Sequence, residues 1–250
     1  MLSVVPDVPL LTPGDDLGGI IIASMEKAGL APDDGDIVVV AQKIVSKAQG
    51  RYVDLATVIP SPRAIELAAR VEKDPRLVEV ILSESVRVVR QAPGVLIVEH
   101  RAGYVMANAG IDRSNIDTSQ GEEPVLLLPH NSDAAAEDLR VQLSEHFGKR
   151  LGVVINDSFG RPWRRGTVGV ALGAAGISAL NDQRGRLDLS GYALQVTETA
   201  LADEVASAAS LLMGQADEAN PVVLVSGLPN ADVSIPASTL IRPAEEDLFR

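Results

Sequence analysis

A carboxylate, a hydroxyl and three arginines lie within nine consecutive residues of this chain. Asp157 and Ser158 follow an apolar run, and the arginines beyond them are Arg161, Arg164 and Arg165. A carboxylate and a hydroxyl can hold a magnesium ion through oxygen, and arginines can clamp a phosphate or carboxylate in a bidentate manner. Such groups stabilise the charge on a phosphoryl group during its transfer. A capped turn with Arg–Asp surface pairs explains the same residues equally well.

A second cluster, in AQKIVSKAQGR, follows a run of four apolar residues. Its polar members are Gln42, Lys43, Ser46, Lys47 and Arg51. Proteins of the α/β class usually bind ligands at the end of a buried strand, and a lysine there can pair with phosphate oxygens. A solvated basic turn is the plainer alternative.

A third cluster, in ANAGIDRSNID, is rich in oxygen-bearing side chains. Its members are Asn108, Asp112, Ser114, Asn115 and Asp117. Carboxylate and amide oxygens are the ligands that hard cations prefer. Taken alone, however, the segment favours an Asx-type turn, in which Asp and Asn side chains bond their own backbone.

The last cluster spans Thr197 to Asn220. Three acids lie close to a predicted helix start, at Glu198, Asp203 and Glu204. The helix dipole favours acids there, which is a complete structural explanation. The loop after the helix then offers Gln215, Asp217, Glu218 and Asn220. This loop is typical of a polar turn, although such loops also bind ligands.

The composition limits the partners of the chain. Its 250 residues carry a net charge of −12, which repels nucleic acid from most of the surface. With no cysteine and three widely separated histidines, any metal is expected to be a hard cation held by oxygen, such as Mg²⁺ or Mn²⁺. The N-terminus lacks the pattern of a signal peptide, and no apolar run is long enough to span a bilayer. We therefore expect a cytoplasmic protein that does not bind membranes.

Alternating strands and helices must position these clusters. Apolar runs predict strands within 1–11, 37–40, 86–91, 95–110, 151–156 and 221–227. Helical spacing predicts helices within 17–29, 62–73, 75–84, 132–148 and 201–214, the fourth capped by Ser132 or Asp133. The fold class is therefore α/β or mixed α+β, in a single unit over 1–250 with an internal lobe of undefined boundaries. There is no G-x-x-x-x-G-K-[ST] loop, so any nucleotide binds by another route.

Four segments, in this order, resemble the coenzyme F420-0:L-glutamate ligases, also called F420:γ-glutamyl ligases. They are VVVAQKIVSKAQGR, ANAGIDRSNID, VINDSFGRPWRRG and LADEVASAASLLMGQADEANPVVLVSG. The resemblance covers nearly the whole chain and is to the stand-alone form of the family. It implies an unusual two-lobed α/β ligase fold without a P-loop, and a homodimer.

The resemblance also implies GTP-dependent ligation. L-Glutamate is joined to the terminal carboxylate of the deazaflavin coenzyme precursor, converting F420-0 to F420-1, and further glutamates follow by γ-linkage. An acyl phosphate is the intermediate, and GDP and phosphate are released. Mg²⁺ or Mn²⁺, bound as a pair of ions, and K⁺ are the implied cofactors. The alternatives are an acid–amine ligase for another cofactor precursor and a non-catalytic module that binds a nucleotide or deazaflavin.

Residue by residue, the resemblance implies a role for each cluster. Asp112 and Asp157 match catalytic, metal-binding aspartates, Ser158 matches a hydroxyl position at the second metal, and Gln215 matches a metal-site position. Lys47 matches a catalytic lysine that contacts the nucleotide. The other implied GTP-binding positions are Val8, Pro9, Leu10, Leu11, Gln42, Asn115, Met213, Gly214, Gln215, Ala216, Asp217, Glu218, Ala219 and Asn220.

The neighbours of Asp157 receive different expectations. The glycines from Gly166 to Gly176 are expected to form close-packed backbone behind the site rather than a phosphate loop. Trp163 has a plain explanation as a packing residue. Arg161 and Arg164 either bind substrate anions or pair with nearby acids.

Overall fold

The computed structural model describes residues 1–116, 118–229 and 233–248. The strands within these ranges are β1 (Leu2–Val4), β2 (Ile37–Ala41), β3 (Tyr52–Asp54), β4 (Ser85–Ala92), β5 (Val95–His100), β6 (Val105–Ala107), β7 (Pro124–Leu126), β8 (Gly152–Arg161), β9 (Arg164–Ala175), β10 (Asn181–Asp182), β11 (Glu198–Thr199) and β12 (Val222–Val225). The α-helices are α1 (Leu17–Lys27), α2 (Gln42–Ala48), α3 (Pro62–Val71), α4 (Pro75–Ser83), α5 (Ser132–Phe147) and α6 (Leu201–Met213). The predicted mixture of helices and strands is confirmed.

The centre of the fold is a five-stranded sheet in the order β1-β12-β2-β8-β9. The β2–β8 pair is parallel, and the other neighbours are antiparallel. Side chains alternate across β2, so Val38 and Val40 pack with α1, α2 and α5, while Ile37 and Val39 pack with α6 on the opposite face. Because both faces are covered, β2 and the start of β8 are continuous apolar runs.

The parallel pair defines two edges of this sheet. At the carboxyl edge, Ala41 and Asn156 end the pairing of β2 with β8, and the antiparallel β12 begins there at Val222. At the opposite, amino edge, the pairing begins at Ile37 and Gly152. Three segments therefore meet at the carboxyl edge. They are the chain after β2, the part of β8 beyond its pairing with β2, and the chain before β12.

Residues between β3 and β7 build a separate apolar cluster. It combines side chains of α3, α4 and β5, with Leu55, Ile81 and Val98 among its fully buried members. The strands β4, β5 and β6 form an antiparallel sheet of three, and β3 pairs with β7. The internal lobe, the two-lobed ligase fold and the homodimer remain predictions.

Two predicted element boundaries are wrong. The polar chain after β2 is not a turn but the helix α2, in which Gln42, Ser46 and Lys47 are buried. The strand expected to end at Asn156 continues to Arg161 as β8, because β9 continues to pair with it beyond the point where β2 ends. Asp157 and Ser158 therefore lie inside a strand.

The cap of α5 also differs from the prediction. Asn131 is the N-cap, and its Oδ1 accepts a hydrogen bond from Ala134 N at 3.0 Å. Asp133 instead accepts hydrogen bonds from Ala174 N and Ala237 N. Gly148 ends the helix at a φ of 63°, as predicted.

Gly169 and Gly173 of β9 are close-packed, as predicted, whereas Gly166 has open space around it. A Cβ at Gly169 would overlap the backbone of Ala206 in α6, and a Cβ at Gly173 would overlap the backbone of Ser132 in α5. Glycine thus lets helices approach both faces of β9. Among the described residues, no helix combines the length and apolar character needed to cross a membrane.

Candidate active site

Lys43 joins the start of α2 to the segment after β6. Its ammonium group lies 2.6 Å from Asp112 Oδ2 and 3.1 Å from Ser114 Oγ. The other carboxylate oxygen of Asp112 accepts hydrogen bonds from Ser114 N at 2.7 Å and Ser114 Oγ at 2.8 Å. Burial acts to raise the pKa of Asp112, but the hydrogen bonds from Lys43 and Ser114 outweigh it and hold the pKa below its usual value.

Asp157, in β8, lies within range of the charges of Lys43 and Asp112. Burial of its carboxyl group raises the pKa of Asp157 to about 6, and the negative charge of Asp112 adds to the increase. The backbone N–H of Ser158, 2.8 Å from Asp157 Oδ1, and the charge of Lys43 oppose this increase. Lys43 thus pairs with Asp112 and acts on Asp157 through its charge alone, and the surroundings shift the pKa values of the two carboxyl groups in opposite directions.

Ser158 follows Asp157 in the same strand and so points to the other face of β8. There Gln215 Nε2 donates a hydrogen bond to Ser158 Oγ at 2.9 Å. On this face Asn156 also contacts α6, with its Nδ2 3.2 Å from Ser210 Oγ and 3.3 Å from Met213 Sδ. The strand therefore presents Asp157 to Lys43 and Asp112, and Ser158 to the loop after α6.

The loop after α6 contacts the segment that carries Asp112 and Asn115. Asn115 Nδ2 donates to Ala216 O at 3.1 Å, across 101 positions of sequence. Glu218 Oε2 accepts from Ala216 N at 2.8 Å, and Asn220 Nδ2 donates to Leu212 O at 3.1 Å. Gly214 begins the loop at φ 74° and ψ −176°, a conformation available essentially to glycine alone.

The remaining predicted nucleotide segments leave the sheet at this same edge. Val5 N donates to Val222 O at 2.9 Å, which places the start of the segment 8–11 beside β12. Within that segment Leu11 is part of the core and Leu10 is 90% exposed. The two predicted nucleotide-binding residues of α2, Gln42 and Lys47, are buried. Gln42 Oε1 accepts a hydrogen bond from Ser46 Oγ at 3.0 Å.

The arginines of the opening cluster are not brought to these acids. Arg161 and Arg164 flank a two-residue turn at the tip of the β8–β9 hairpin. Arg161 Nη1 donates to Gly166 O, and no arginine of the tip pairs with an acid in the described ranges. The packing explanation for Trp163 is wrong, because its side chain is 80% exposed at this tip. Asp117 lies outside the described residues.

Lys43 belongs to the second sequence cluster, but the family resemblance implies no role for it. Its ammonium group is the one that pairs with Asp112 among the described ion pairs. Lys43 and Lys47 are four residues apart and lie one above the other on α2. Recognising the segment as a helix would have placed Lys43 in its first turn, directly after the sheet. Tyr104, whose hydroxyl donates to Leu172 O at 2.5 Å, and Ser114 were also not assigned a role.

The donors at this edge fit a hard cation. Asp112 and Asp157 are close enough for their charges to interact, and Ser158 and Gln215 add a hydroxyl and an amide oxygen. No group of three or more His, Asp or Glu side chains within metal-binding reach occurs in the part of the chain that is described. Oxygen atoms of a bound ligand would therefore have to complete the coordination of any metal, which is the usual arrangement for Mg²⁺ with phosphates.

Comparison with known proteins gives one family and several relatives. Residues 7–227 match the family described as F420-0:Gamma-glutamyl ligase. The coenzyme F420:L-glutamate ligase of Methanothermobacter thermautotrophicus is 44% identical over 248 residues, which cover 98% of this chain and 97% of that relative. A protein of the same name from Methanocaldococcus jannaschii is 45% identical over 218 residues, 87% of this chain and 86% of the relative. The one from Haloarcula marismortui is 40% identical over 252 residues, 98% of this chain and 94% of the relative.

Proposed function

The chain belongs to the F420-0:gamma-glutamyl ligase family, and on that premise we propose that it joins L-glutamate to a coenzyme F420 precursor in a GTP-dependent reaction. The names of its relatives support glutamate ligation. The proposal goes further, in that GTP activates the terminal carboxylate of F420-0 as an acyl phosphate. F420-1 is the first product, and further glutamates are added by γ-linkage.

One observation of the structure carries this proposal. Five segments that are far apart in sequence meet at the carboxyl edge. There Lys43 pairs with Asp112, Gln215 donates to Ser158, and Asp157 is close enough to Asp112 and Lys43 for their charges to interact. Activation of a carboxylate by a triphosphate needs both metal-binding oxygens and fixed positive charge.

The reaction has two steps. In the first, a carboxylate oxygen of F420-0 forms a bond to the γ-phosphorus of GTP, and the bond between that phosphorus and GDP breaks. In the second, the amine nitrogen of glutamate forms a bond to the acyl carbon, and the bond from that carbon to the phosphate oxygen breaks. Of the two protons that the ammonium group loses, one leaves on inorganic phosphate and the other passes to solvent.

The residues of the site divide this work. Asp112 and Asp157 would hold one divalent cation, Mg²⁺ or Mn²⁺, and Ser158 with Gln215 would contribute to a second. When bound, such ions neutralise the triphosphate and polarise its γ-phosphoryl group. Lys43 adds positive charge beside Asp112. Activity is also expected to be helped by K⁺ and to belong to a homodimer.

The segments around the acids would bind the nucleotide. Lys47, Gln42 and Asn115, the N-terminal residues 8–11 and the loop 213–220 surround the same edge of the sheet. The family-based roles of these residues agree with this placement. Water must be kept from the acyl phosphate until glutamate attacks, and a site assembled between several loops can provide that exclusion.

Mass spectrometry of the product tests the proposal directly. Purified protein is incubated with GTP, Mn²⁺, L-glutamate and F420-0, and the product is expected to gain the mass of one or more glutamyl units, with GDP formed in step. Reactions that lack each component in turn serve as controls. Ligand binding without any glutamylated product would favour a non-catalytic module. Product formation from a different acid would favour a ligase of another cofactor precursor.

A further inference from the structure

A cleft of about 610 Å³ opens beside Asp112. One wall is the junction between α3 and α4, and the other is the segment 108–114. Its volume is within the usual range of small-molecule sites. Because Asp112 and Ser114 belong both to the cleft and to the candidate active site, a ligand in the cleft would lie directly against that site.

The cleft contains charges that the protein itself does not neutralise. Three of its charged side chains have no ion-pair partner in the described part of the chain, namely Glu72, Lys73 and Arg113. The other charges are engaged, since Asp74 lies 2.6 Å from Arg76 Nη2 and Asp112 pairs with Lys43. In a protein of net charge −12, two unengaged cations in one cleft favour an anionic ligand.

The opposite wall of the cleft has a fixed backbone. Asn108 lines the cleft, and its Oδ1 is buried without a hydrogen-bond partner among the described residues. Asn108, Ala109 and Gly110 have consecutive positive φ angles of 52°, 54° and 69°. Such backbone persists only where its surroundings hold it, and here Ala109 is buried in the core and Ile111 N donates to Asn108 O at 3.0 Å. The wall that carries Asp112 and Arg113 is therefore held in place.

We propose that this cleft is the binding site of the amino-acid substrate, L-glutamate, an inference that rests on the proposed function. One carboxylate of glutamate pairs with Lys73 and the other with Arg113, and its ammonium group pairs with Glu72. The two negative groups and one positive group of the ligand thus match the unengaged charges of the cleft. The amine lies beside Asp112, where the activated carboxylate is formed.

Charge-removing variants of the two cations test this assignment. Lys73→Gln and Arg113→Gln are each expected to raise the KM for L-glutamate about 10- to 100-fold, the effect of losing one charge-assisted hydrogen bond. The KM values for GTP and F420-0 should stay within about twofold, since these substrates bind elsewhere. Arg63→Gln on the exposed side of α3 removes the same charge outside the cleft and should change none of the three constants. Thermal denaturation checks that each variant is folded.

Substrate discrimination separates binding from a structural effect. L-Glutamine lacks the side-chain carboxylate, so the wild-type chain should prefer glutamate by about 10- to 100-fold in kcat/KM. Of Lys73→Gln and Arg113→Gln, the variant that removes the partner of the side-chain carboxylate should lose most of the preference for glutamate over glutamine. The variant that removes the partner of the α-carboxylate should keep that preference. A ratio that neither variant changes would overturn the assignment.

The remaining outcomes distinguish this inference from the proposed function. If the wild-type chain forms no glutamylated product, the proposed function fails. Titration of ¹³C-labelled L-glutamate, followed by NMR, then still tests whether the cleft binds glutamate. Glutamate binding that both variants weaken would then support the site on its own. Unchanged glutamate binding in both variants, or a rise in the KM for GTP or F420-0 instead, would overturn it.

Discussion

Aspartates lie beside lysines or arginines at both edges of the central sheet, and they are used differently at each. At the amino edge, Asp36 Oδ2 accepts from Asp33 N at 3.0 Å and Ser226 Oγ at 2.9 Å, and Asp34 Oδ1 accepts from Arg150 N at 2.7 Å. At the carboxyl edge, Asp157 accepts only the N–H of Ser158 in the described contacts.

The backbone explains this difference. Chains entering β2 and β8 at the amino edge do so through tight turns, whose N–H groups need side-chain acceptors. At the carboxyl edge, β2 runs into α2 and β8 continues as a hairpin, so most backbone N–H groups are satisfied within those elements. Asp157 Oδ2 accepts no hydrogen bond among the described contacts there, whereas both oxygens of Asp112 are engaged by Lys43 and Ser114. An aspartate therefore has a structural role where nearby backbone N–H groups lack acceptors. It keeps an oxygen for a ligand where those groups already have acceptors.

The largest effect is expected for Asp157→Asn. Loss of this carboxylate should lower glutamate-dependent GDP release about 100-fold or more, because a divalent cation would lose a charged ligand. The melting temperature should be unchanged or higher, since burial of Asp157 disfavours its charged form. Steady-state assays and calorimetry measure the two quantities. Near-normal GDP release from a folded variant would remove Asp157 from the metal site.

A smaller effect is expected for Lys43→Gln. The KM for GTP should rise about tenfold, because a fixed charge beside Asp112 is lost. Lys149→Gln is the matched control at the amino edge, where the ammonium group lies 2.8 Å from Asp33, and its KM for GTP should equal that of the wild-type chain.

Lys47→Ala should also raise the KM for GTP if the family-based role of Lys47 holds. An unchanged KM would show that Lys47 serves the fold or another substrate.

The smallest effect on activity is expected for Asp36→Ala. It should lower the free energy of unfolding by about 1–2 kcal/mol, because Asp36 is buried and removal of its acceptor oxygen leaves two donors without a partner. For a chain of this size each kcal/mol corresponds to about 2–4 °C in melting temperature. Turnover measured well below the transition should match the wild-type value. Lost turnover without lost stability would contradict the structural role assigned to the amino edge.

Much of the fold was predictable from local patterns. The helices α3, α4 and α6 and the strands β2 and β12 lie where spacing and breaker residues placed them. The errors occurred where tertiary pairing overrides a local signal. Polar residues at Asp157 and Ser158 indicate the end of a strand, yet β9 extends β8 to Arg161.

The candidate site was predictable in its residues but not in its contacts. The sequence grouped Asp112, Asp157, Ser158 and Gln215 by their resemblance to a family, and the structure brings these groups to one edge. It gave no preference for Lys43 over Lys47, because residues one helical turn apart look equivalent until the direction of the helix is known.

The sequence by itself determined most of the element types, the acidic and oxygen-rich clusters and membership of the family, because these depend on residue identity and on periods of a few positions. Only the tertiary structure decided which clusters meet. Lys43 reaches Asp112, Asn115 reaches Ala216, and the arginine-rich turn at Trp163 stays exposed. The first two contacts span about 70 and 100 positions, so they depend on the order and direction of the strands in the sheet. No local pattern encodes that order.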